Sequence, residues 1–247
     1  MLGSEIRKFG KEKGANLVGF ADVSKFPADG SVVDPRFYLP NAKTVVVFGL
    51  KLVDAIWDKL SGTYDVHAIH LVNYLRHYNY DLLDFIAIQT ARFIEELGYD
   101  VYPIEARTET KVREVLVGFF PFKEAARLSG LGMYGKSSMI ITPEYGPRNR
   151  WVALITDLEI EEDEPRKESV PQSVDEVCGS CTLCIDRCPV KAISYENGTP
   201  LVNQRLCQAY MNVANNCALC QGICIKGKQA AMKRRQRKND RMVSRAV

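Results

Sequence analysis

A short stretch near the C-terminal end of this chain of 247 residues decides how it is interpreted: residues 178–189 read CGSCTLCIDRCP. The spacing C-x2-C-x2-C-x3-C-P is typical of chains that bind two four-iron clusters. Three cysteines at intervals of three wrap a loop around three irons of one cubane. The fourth, Cys188, is carried away by the start of a helix that Pro189 favours, so it reaches a second cubane.

The remaining ligands follow in the second half of the cysteine region, because all eight cysteines of the chain lie between Cys178 and Cys224. We therefore predict two [4Fe–4S] clusters that together use every cysteine. The nine residues between Cys207 and Cys217 predict an inserted loop beside the second cluster. The first predicted ligand set is Cys178, Cys181, Cys184 and Cys224, and the second is Cys188, Cys207, Cys217 and Cys220.

A zinc ribbon is the alternative interpretation of the two C-x2-C pairs, Cys178/Cys181 and Cys217/Cys220. It leaves four of the eight cysteines without a role, so the spacing favours iron–sulfur clusters. Two clusters in series pass single electrons between a surface donor and a buried acceptor. The pattern therefore predicts an iron–sulfur oxidoreductase.

The composition is that of a globular protein, with 46% hydrophobic and 26% charged residues. It excludes collagen-like and wholly disordered chains. A net charge of +3 is too small to require an anionic partner. No apolar run approaches the ~18 residues of a membrane span, and the N-terminus has no export signal. We expect a cytoplasmic protein with reduced thiols and no membrane partner.

Four regions are expected along the chain. Residues 1–160 mix helical and strand patterns, residues 161–176 have the acidic, proline-containing composition of a linker, residues 177–227 form a ferredoxin-like module with two clusters, and residues 228–247 form a basic tail. Helices and strands do not alternate strictly in the first region. The pattern therefore favours an α+β fold, with a mixed sheet and flanking helices, over a doubly wound sheet.

Two local expectations concern elements of the first region. A long helical pattern over Asp65–Leu97 is expected to be interrupted around Asn79. The strand-like segments Ser138–Thr142 and Arg150–Leu158 are separated by a polar stretch, TPEYGPRN, which predicts that the two strands form a hairpin.

Three segments resemble those of epoxyqueuosine reductases and their relatives, the reductive dehalogenases. They are GANLVGFADVSKF at residues 14–26, the stretch from AARLSGLGMYGKSS to ITDLEI at residues 125–160, and the cysteine region. The resemblance implies a corrinoid (cobalamin) in residues 1–160, to which the two clusters deliver electrons for the reduction of a substrate. It also implies a small electron donor such as ferredoxin or flavodoxin.

The chain departs from that family in two respects. Epoxyqueuosine reductases have an aspartate upstream of the GLG turn that is proposed to donate a proton, whereas residues 115–122 read VLVGFFPF and contain no acid. Their C-terminal helical-repeat domain, which holds tRNA, has no counterpart in this sequence. We therefore expect a short branch of the family with a small-molecule or modified-nucleoside substrate, and we do not expect nucleic acid as a partner.

The glycine-rich segment GLGMYGKSS at residues 130–138 is the predicted cofactor contact, because glycine lets backbone N–H groups approach a ligand closely. A tight turn without a ligand is the alternative. Tyr134, His77 and Tyr78 are the candidate proton donors, and ordinary packing or a polar helix face is the alternative for each. The predicted cofactor contacts are Gly130, Gly132, Gly135, Lys136, Ser137 and Ser138.

Other polar residues give weaker indications. His67, His70 and His77 share one helical arc with Tyr74, but the arc has no clear fourth ligand for a metal site. Arg148 is a candidate for contact with an anionic substrate or with a phosphate of the cofactor. Two other functional classes stay open: an electron carrier that reduces a partner such as a corrinoid protein, and a protein whose N-terminal pocket binds a flavin.

Overall fold

The computed structural model describes residues 2–60, 65–107, 118–160, 170–214 and 217–246, with side chains described as far as residue 240. These residues pack into two compact units, each drawn from three stretches of chain. Unit 1 comprises Met1–Lys51, Tyr74–Gly132 and Arg150–Val170, and unit 2 comprises Leu52–Asn73, Met133–Asn149 and Pro171–Val247. All eight cysteines therefore lie in unit 2.

The described residues form both helices and strands, which confirms the predicted α+β class. The helices are Leu2–Glu12 (α1), Asp54–Lys59 (α2), Val66–Glu96 (α3), Phe122–Leu128 (α4), Val174–Cys178 (α5), Leu183–Asp186 (α6), Gln204–Val213 (α7), Leu219–Gly222 (α8) and Ile225–Ala246 (α9). The strands are Leu17–Asp22 (β1), Thr44–Lys51 (β2), Val101–Ile104 (β3), Met133–Tyr134 (β4), Ile140–Ile141 (β5), Asn149–Thr156 (β6), Ile193–Glu196 (β7) and Thr199–Val202 (β8).

A four-stranded sheet with the order β1-β2-β6-β3 forms the centre of unit 1. Strand β1 runs antiparallel to β2, and β3 runs antiparallel to β6. The sequence of β2, TVVVFGLK, is apolar and rich in valine, and every residue but the last is buried. Such a continuous apolar run is what an internal strand requires, since both of its faces are covered.

The predicted hairpin between Ser138–Thr142 and Arg150–Leu158 is wrong. Strand β5 pairs with β4, where Met133 lies opposite Ile141 and Tyr134 opposite Ile140. The β4–β5 hairpin closes through a hydrogen bond from Gly135 N–H to the Met139 carbonyl, 2.9 Å long. Strand β6 is buried at nearly every position and joins the central sheet, which satisfies its apolar side chains better than a short hairpin does.

The expected interruption of the long helix at Asn79 is also wrong, because α3 runs without a break for 31 residues. Asparagine costs only a few tenths of a kcal/mol in a helix, and the burial of Leu83, Ile86 and Ile94 in the core outweighs that cost. The helix ends at Glu96, and Gly98 follows two residues later with a φ of 89°, which favours glycine. No helix within the described ranges is long and apolar enough to cross a membrane.

The structure describes part of the predicted linker and most of the predicted basic tail. Residues 161–169 of the predicted linker lie outside the described residues, whereas Ser173 caps α5 by accepting a hydrogen bond from Glu176 N–H, 3.2 Å long. The predicted basic tail continues α9 up to residue 246. Ala230 and Ala231 are buried, so this helix packs on its unit at its N-terminal end.

Candidate metal centre

The eight cysteines lie on short helices and the turns between them. Cys178 ends α5, and Gly179 follows it with a φ of 50°, which turns the chain toward Cys181. Cys184 lies in α6 and Cys188 directly beyond it. We call residues 178–188 the cysteine loop. The other ligand candidates lie in α7 (Cys207), before α8 (Cys217), within α8 (Cys220) and between α8 and α9 (Cys224).

The thiols of the first predicted ligand set influence each other's ionisation. Burial, and after it the nearby thiols of Cys224, Cys178 and Cys181, raise the pKa of the Cys184 thiol to about 11. These are the three cysteines that the spacing predicts as its partners. None of the eight cysteines forms a disulfide. Cys184 therefore requires a nearby positive centre if it is to act as a thiolate ligand.

The second predicted set behaves in the same way. Burial, followed by the neighbouring thiols of Cys217, Cys184, Cys207 and Cys188, raises the pKa of the Cys220 thiol to about 12. The thiols whose pKa is raised are thus influenced mainly by cysteines of their own predicted set, although Cys184 of the first set also acts on Cys220. The two ligand sets stay a prediction. Among the described residues, no three His, Cys, Asp or Glu side chains converge on the position of a single metal ion.

Backbone N–H groups face several of the sulfur atoms. The N–H of Ala192 donates to Cys188 Sγ over 3.2 Å. Burial raises the pKa of the Cys224 thiol, and hydrogen bonds from the N–H groups of Gly227 and Lys226 oppose that rise. Such donors favour the negative charge that a ligating sulfur carries, and they tune the potential of iron–sulfur clusters. This donor environment fits iron–sulfur ligation.

The β4–β5 hairpin lies against the cysteine loop within unit 2. A Cβ atom on Gly135 would lie 2.9 Å from Ile141 Cγ1, which would have to shift, and in van der Waals contact with Cys178 Sγ at 3.4 Å. Lys136 is only 6% exposed, and its Nζ donates to the Gly179 carbonyl over 2.7 Å. The same ammonium lies 4.7 Å from the centre of the Tyr195 ring. Lys136 therefore holds the cysteine loop.

The other predicted cofactor contacts occupy turns. Gly130 follows α4 with a φ of 67°, and a Cβ atom there would meet nothing within 4 Å. Gly132 is buried, whereas Ser137 and Ser138 are half-buried in the turn of the hairpin. Contact of these four residues with an organic cofactor stays a prediction.

The three candidate proton donors lie in different surroundings. Tyr134 is half-buried in β4, opposite Ile140. His77 is exposed on α3. Tyr78 is 56% exposed, and a hydrogen bond with Tyr74 raises the pKa of its phenol, which makes it a weaker acid. Their catalytic role stays a prediction.

Tyr80 is a candidate that the sequence interpretation missed. The Cζ atoms of Arg76 and Arg107 lie 5.6 Å and 6.0 Å from the centre of its ring. Burial alone would raise the pKa of the phenol, but the charges of Arg150 and Arg76 and their hydrogen bonds outweigh it, so the pKa is lowered. The one signal in the sequence is the i, i+4 spacing of Arg76 and Tyr80 on α3.

Comparison with curated proteins identifies two groups of relatives. A tetrachloroethene reductive dehalogenase of Desulfitobacterium hafniense is 27% identical over 241 residues, covering 84% of this chain and 41% of the dehalogenase. An epoxyqueuosine reductase of Lactococcus garvieae is 27% identical over 209 residues, covering 78% of this chain and 54% of the reductase. The chain thus spans about half the length of these relatives or less. No model of a known protein family matches it.

This chain is related to the epoxyqueuosine reductases and the reductive dehalogenases. The resemblance predicted from its sequence is therefore confirmed, and its relatives are oxidoreductases.

Solved structures of both groups share the fold. An epoxyqueuosine reductase crystallised with a stem loop of modified tRNA-Tyr superposes with a TM-score of 0.61 at 20% identity, over 92% of this chain and 65% of that one. A reductive dehalogenase whose structure suggests a mechanism for B12-dependent dehalogenation superposes with a TM-score of 0.66 at 18% identity. The match covers 92% of this chain and 33% of the dehalogenase. The tRNA in the first structure is partly at odds with our expectation that nucleic acid is not a partner.

Arg148 was expected near the predicted hairpin as a contact for an anionic substrate or a phosphate of the cofactor. The structure places its side chain in the interior of unit 2 instead. Its side chain is fully buried and forms ion pairs with Asp54 over 3.1 Å and Asp58 over 2.7 Å. The carboxylates also pair with α9, Asp54 with Arg234 over 2.8 Å and Asp58 with Arg235 over 2.9 Å. The network therefore joins α2, the turn before β6 and the helix that begins after Cys224.

We expect Arg148→Met to lower the stability of the holoprotein by about 2–4 kcal/mol, since it leaves two partly buried carboxylates without their buried cation. The midpoint of thermal unfolding, followed by circular dichroism, should fall by roughly 5–15 °C. The matched control is Arg235→Met on the same network, whose side chain is 61% exposed and whose loss should cost at most about 1 kcal/mol. Equal shifts for the two variants would contradict this account.

Proposed function

We propose that the chain is an iron–sulfur oxidoreductase that holds two [4Fe–4S] clusters and passes electrons through them to a corrinoid, which reduces a substrate. One observation carries the proposal: the thiols whose pKa is raised are influenced mainly by cysteines of their own predicted group of four. Each group offers the four thiolates that a cubane requires. A mononuclear zinc site would leave half of these thiols without a ligand role.

The corrinoid enters the proposal through the relatives. One structural neighbour is described in terms of B12-dependent dehalogenation. When bound, a corrinoid supplies a cobalt centre that gives electrons to the substrate, while the protein supplies orientation, electrons and protons. The predicted contacts Gly130, Gly132, Ser137 and Ser138 are the residues we propose to face it. Lys136 donates to the cysteine loop, so we do not assign it to the corrinoid.

The proton is assigned to the hydroxyl of Tyr80. A reductive step adds electrons to the substrate, and a nearby acid must then supply the proton. The positive charges of Arg150 and Arg76 stabilise the phenolate that Tyr80 leaves behind, which is the physical meaning of its lowered pKa. Tyr134, His77 and Tyr78 are the alternatives, but the surroundings of Tyr78 favour the protonated phenol.

The substrate and the electron donor are proposed by class only. A small molecule or a modified nucleoside suits the two groups of relatives, one of which acts on chloroethenes and the other on a modified tRNA, as their names state. The donor is a small protein such as ferredoxin or flavodoxin, since each cluster accepts one electron at a time.

Anaerobic purification tests the proposal directly. We expect about eight irons and eight acid-labile sulfides per chain. A titration of the reduced protein with cobalamin should change the corrinoid spectrum at about one equivalent, whereas FMN serves as the control for a flavin pocket. Zinc in place of iron, or about four irons, would overturn the cluster assignment. Eight irons without cobalamin binding would leave an electron carrier that reduces a partner.

Lys136 gives a prediction that does not depend on the substrate. We expect Lys136→Met to lower the reduction potential of the first cluster by on the order of tens of millivolts, because a nearby buried ammonium stabilises the electron added on reduction. The measurement is a redox titration followed by electron paramagnetic resonance. Lys136→Arg, which keeps the charge, and Lys233→Met, which removes an exposed lysine of α9, are the controls. Unchanged potentials with intact clusters would refute the assignment.

Tyr80 gives a second prediction. In the holoprotein labelled with 13Cζ-tyrosine, we expect one tyrosine signal to titrate below the ordinary pKa of 10. The signal should disappear in Tyr80→Phe and persist in Tyr78→Phe, since the pKa of Tyr78 is raised. A low-pKa signal that survives Tyr80→Phe would show that another phenol is the acid.

A further inference from the structure

Helix α3 carries apolar side chains on two opposite sides. One side packs into the core of unit 1 through Leu83, Ile86, Ala87 and Ile94, all at most 1% exposed. The other side carries large apolar residues that are exposed to solvent. We call these the outer stripe: Tyr74 (53% exposed), Tyr78 (56%), Leu82 (39%), Phe85 (49%) and Ile88 (44%).

The outer stripe is one continuous surface. Its residues follow steps of four, four, three and three, which place them on one face of a helix, roughly 120° wide, over about 21 Å of its length. The rings of Tyr74 and Tyr78 already contact each other, with centres 4.9 Å apart. A surface helix of a globular protein ordinarily turns charged and polar residues to this side. The stripe is therefore a candidate interface.

The order of residues along the stripe is symmetric about Asp81 and Leu82. Tyr74 and Ile88 lie seven residues on either side of Asp81, and Tyr78 and Phe85 lie at nearly equal distances from the same centre. Two copies of α3 packed antiparallel would therefore place Tyr78 of one against Phe85 of the other, with the Leu82 side chains near the twofold axis. A twofold axis requires such self-complementarity of a surface.

We propose that the outer stripe of α3 is the interface of a homodimer in which two copies of this chain pair through antiparallel α3 helices. The five side chains expose on the order of 500 Å² if a fully exposed large side chain offers roughly 200 Å². A second copy would bury about 1,000 Å² in total from these residues alone, which is close to the minimum for a specific interface. A patch of this size is at the upper end of what monomers expose.

One charged residue lies within the arc of the stripe and another lies beyond its C-terminal end. Asp81 lies beside the centre, with a side chain that is 65% exposed and paired with Arg107 of the same chain over 3.0 Å. Arg92 is exposed one turn beyond Ile88. The charge of Asp81 is thus already compensated within each chain, so two copies can approach without an unpaired carboxylate at the axis.

Sedimentation equilibrium of the holoprotein between about 1 and 100 μM tests the proposal. We expect a dimer that dissociates at low micromolar concentration, and we expect Phe85→Glu to shift the dissociation constant at least tenfold toward the monomer. Phe37→Glu is the matched control, since Phe37 is 79% exposed but lies outside α3. It should leave the dimer unchanged.

A second measurement fixes the geometry. A photoreactive phenylalanine analogue at position 85 should cross-link to the other copy at or near Tyr78, and peptide mass spectrometry of the covalent dimer identifies the site. A protein that stays monomeric throughout the concentration range overturns the proposal, as does a dimer that Phe85→Glu leaves intact. A monomer that binds vesicles of anionic lipid through the stripe would assign the surface to a membrane, which also overturns it.

Discussion

The arrangement of unit 2 follows from one electrostatic constraint: several buried thiols lie close enough together to oppose each other's ionisation. Burial raises the pKa of Cys220 to about 12 and that of Cys184 to about 11, so neither becomes a thiolate at neutral pH unless a cation compensates it. In the proposed holoprotein iron would supply that charge, and the N–H groups that face Cys188 and Cys224 would supply part of the remainder. Folding of this unit and cluster binding are therefore coupled in the proposed holoprotein.

The surrounding elements of unit 2 hold that confined sulfur environment in place. Gly135 lets the β4–β5 hairpin lie against Cys178, and Lys136 ties the hairpin to the Gly179 carbonyl. On the other side, Gly146 and Gly227 lie so close that a Cβ atom on Gly146 would be 2.5 Å from the Gly227 nitrogen. The buried Arg148 beside this contact pairs with α2, so the segment that follows Cys224 is fixed by both packing and charge.

What the sequence predicted depended on how local the determining interactions were. The cysteine spacing acts over a few residues, and the thiols of Cys184 and Cys224 are influenced by the partners that it predicts. Strand β2 was also predictable, because its apolar run is a local property. The pairing of β5 was not, since the choice between β4 and β6 is made by the central sheet. Tyr80 was missed for the same reason: Arg150, which lowers its pKa, comes from a strand 70 residues further along the chain.

Helix α3 shows how one sequence pattern can serve two demands. Asn79 suggested a break, yet the helix is continuous because its inner side is anchored by residues such as Leu83 and Ile94. A helix that has only to cover a core gains nothing from Tyr78 and Phe85 on its outer side, where exposed aromatic rings reduce solubility. Since the inner side already accounts for the fold, the apolar outer side requires a separate physical reason. Association of a surface that is symmetric along its own length supplies one, because burial of the rings between two copies recovers the free energy that exposure in water costs.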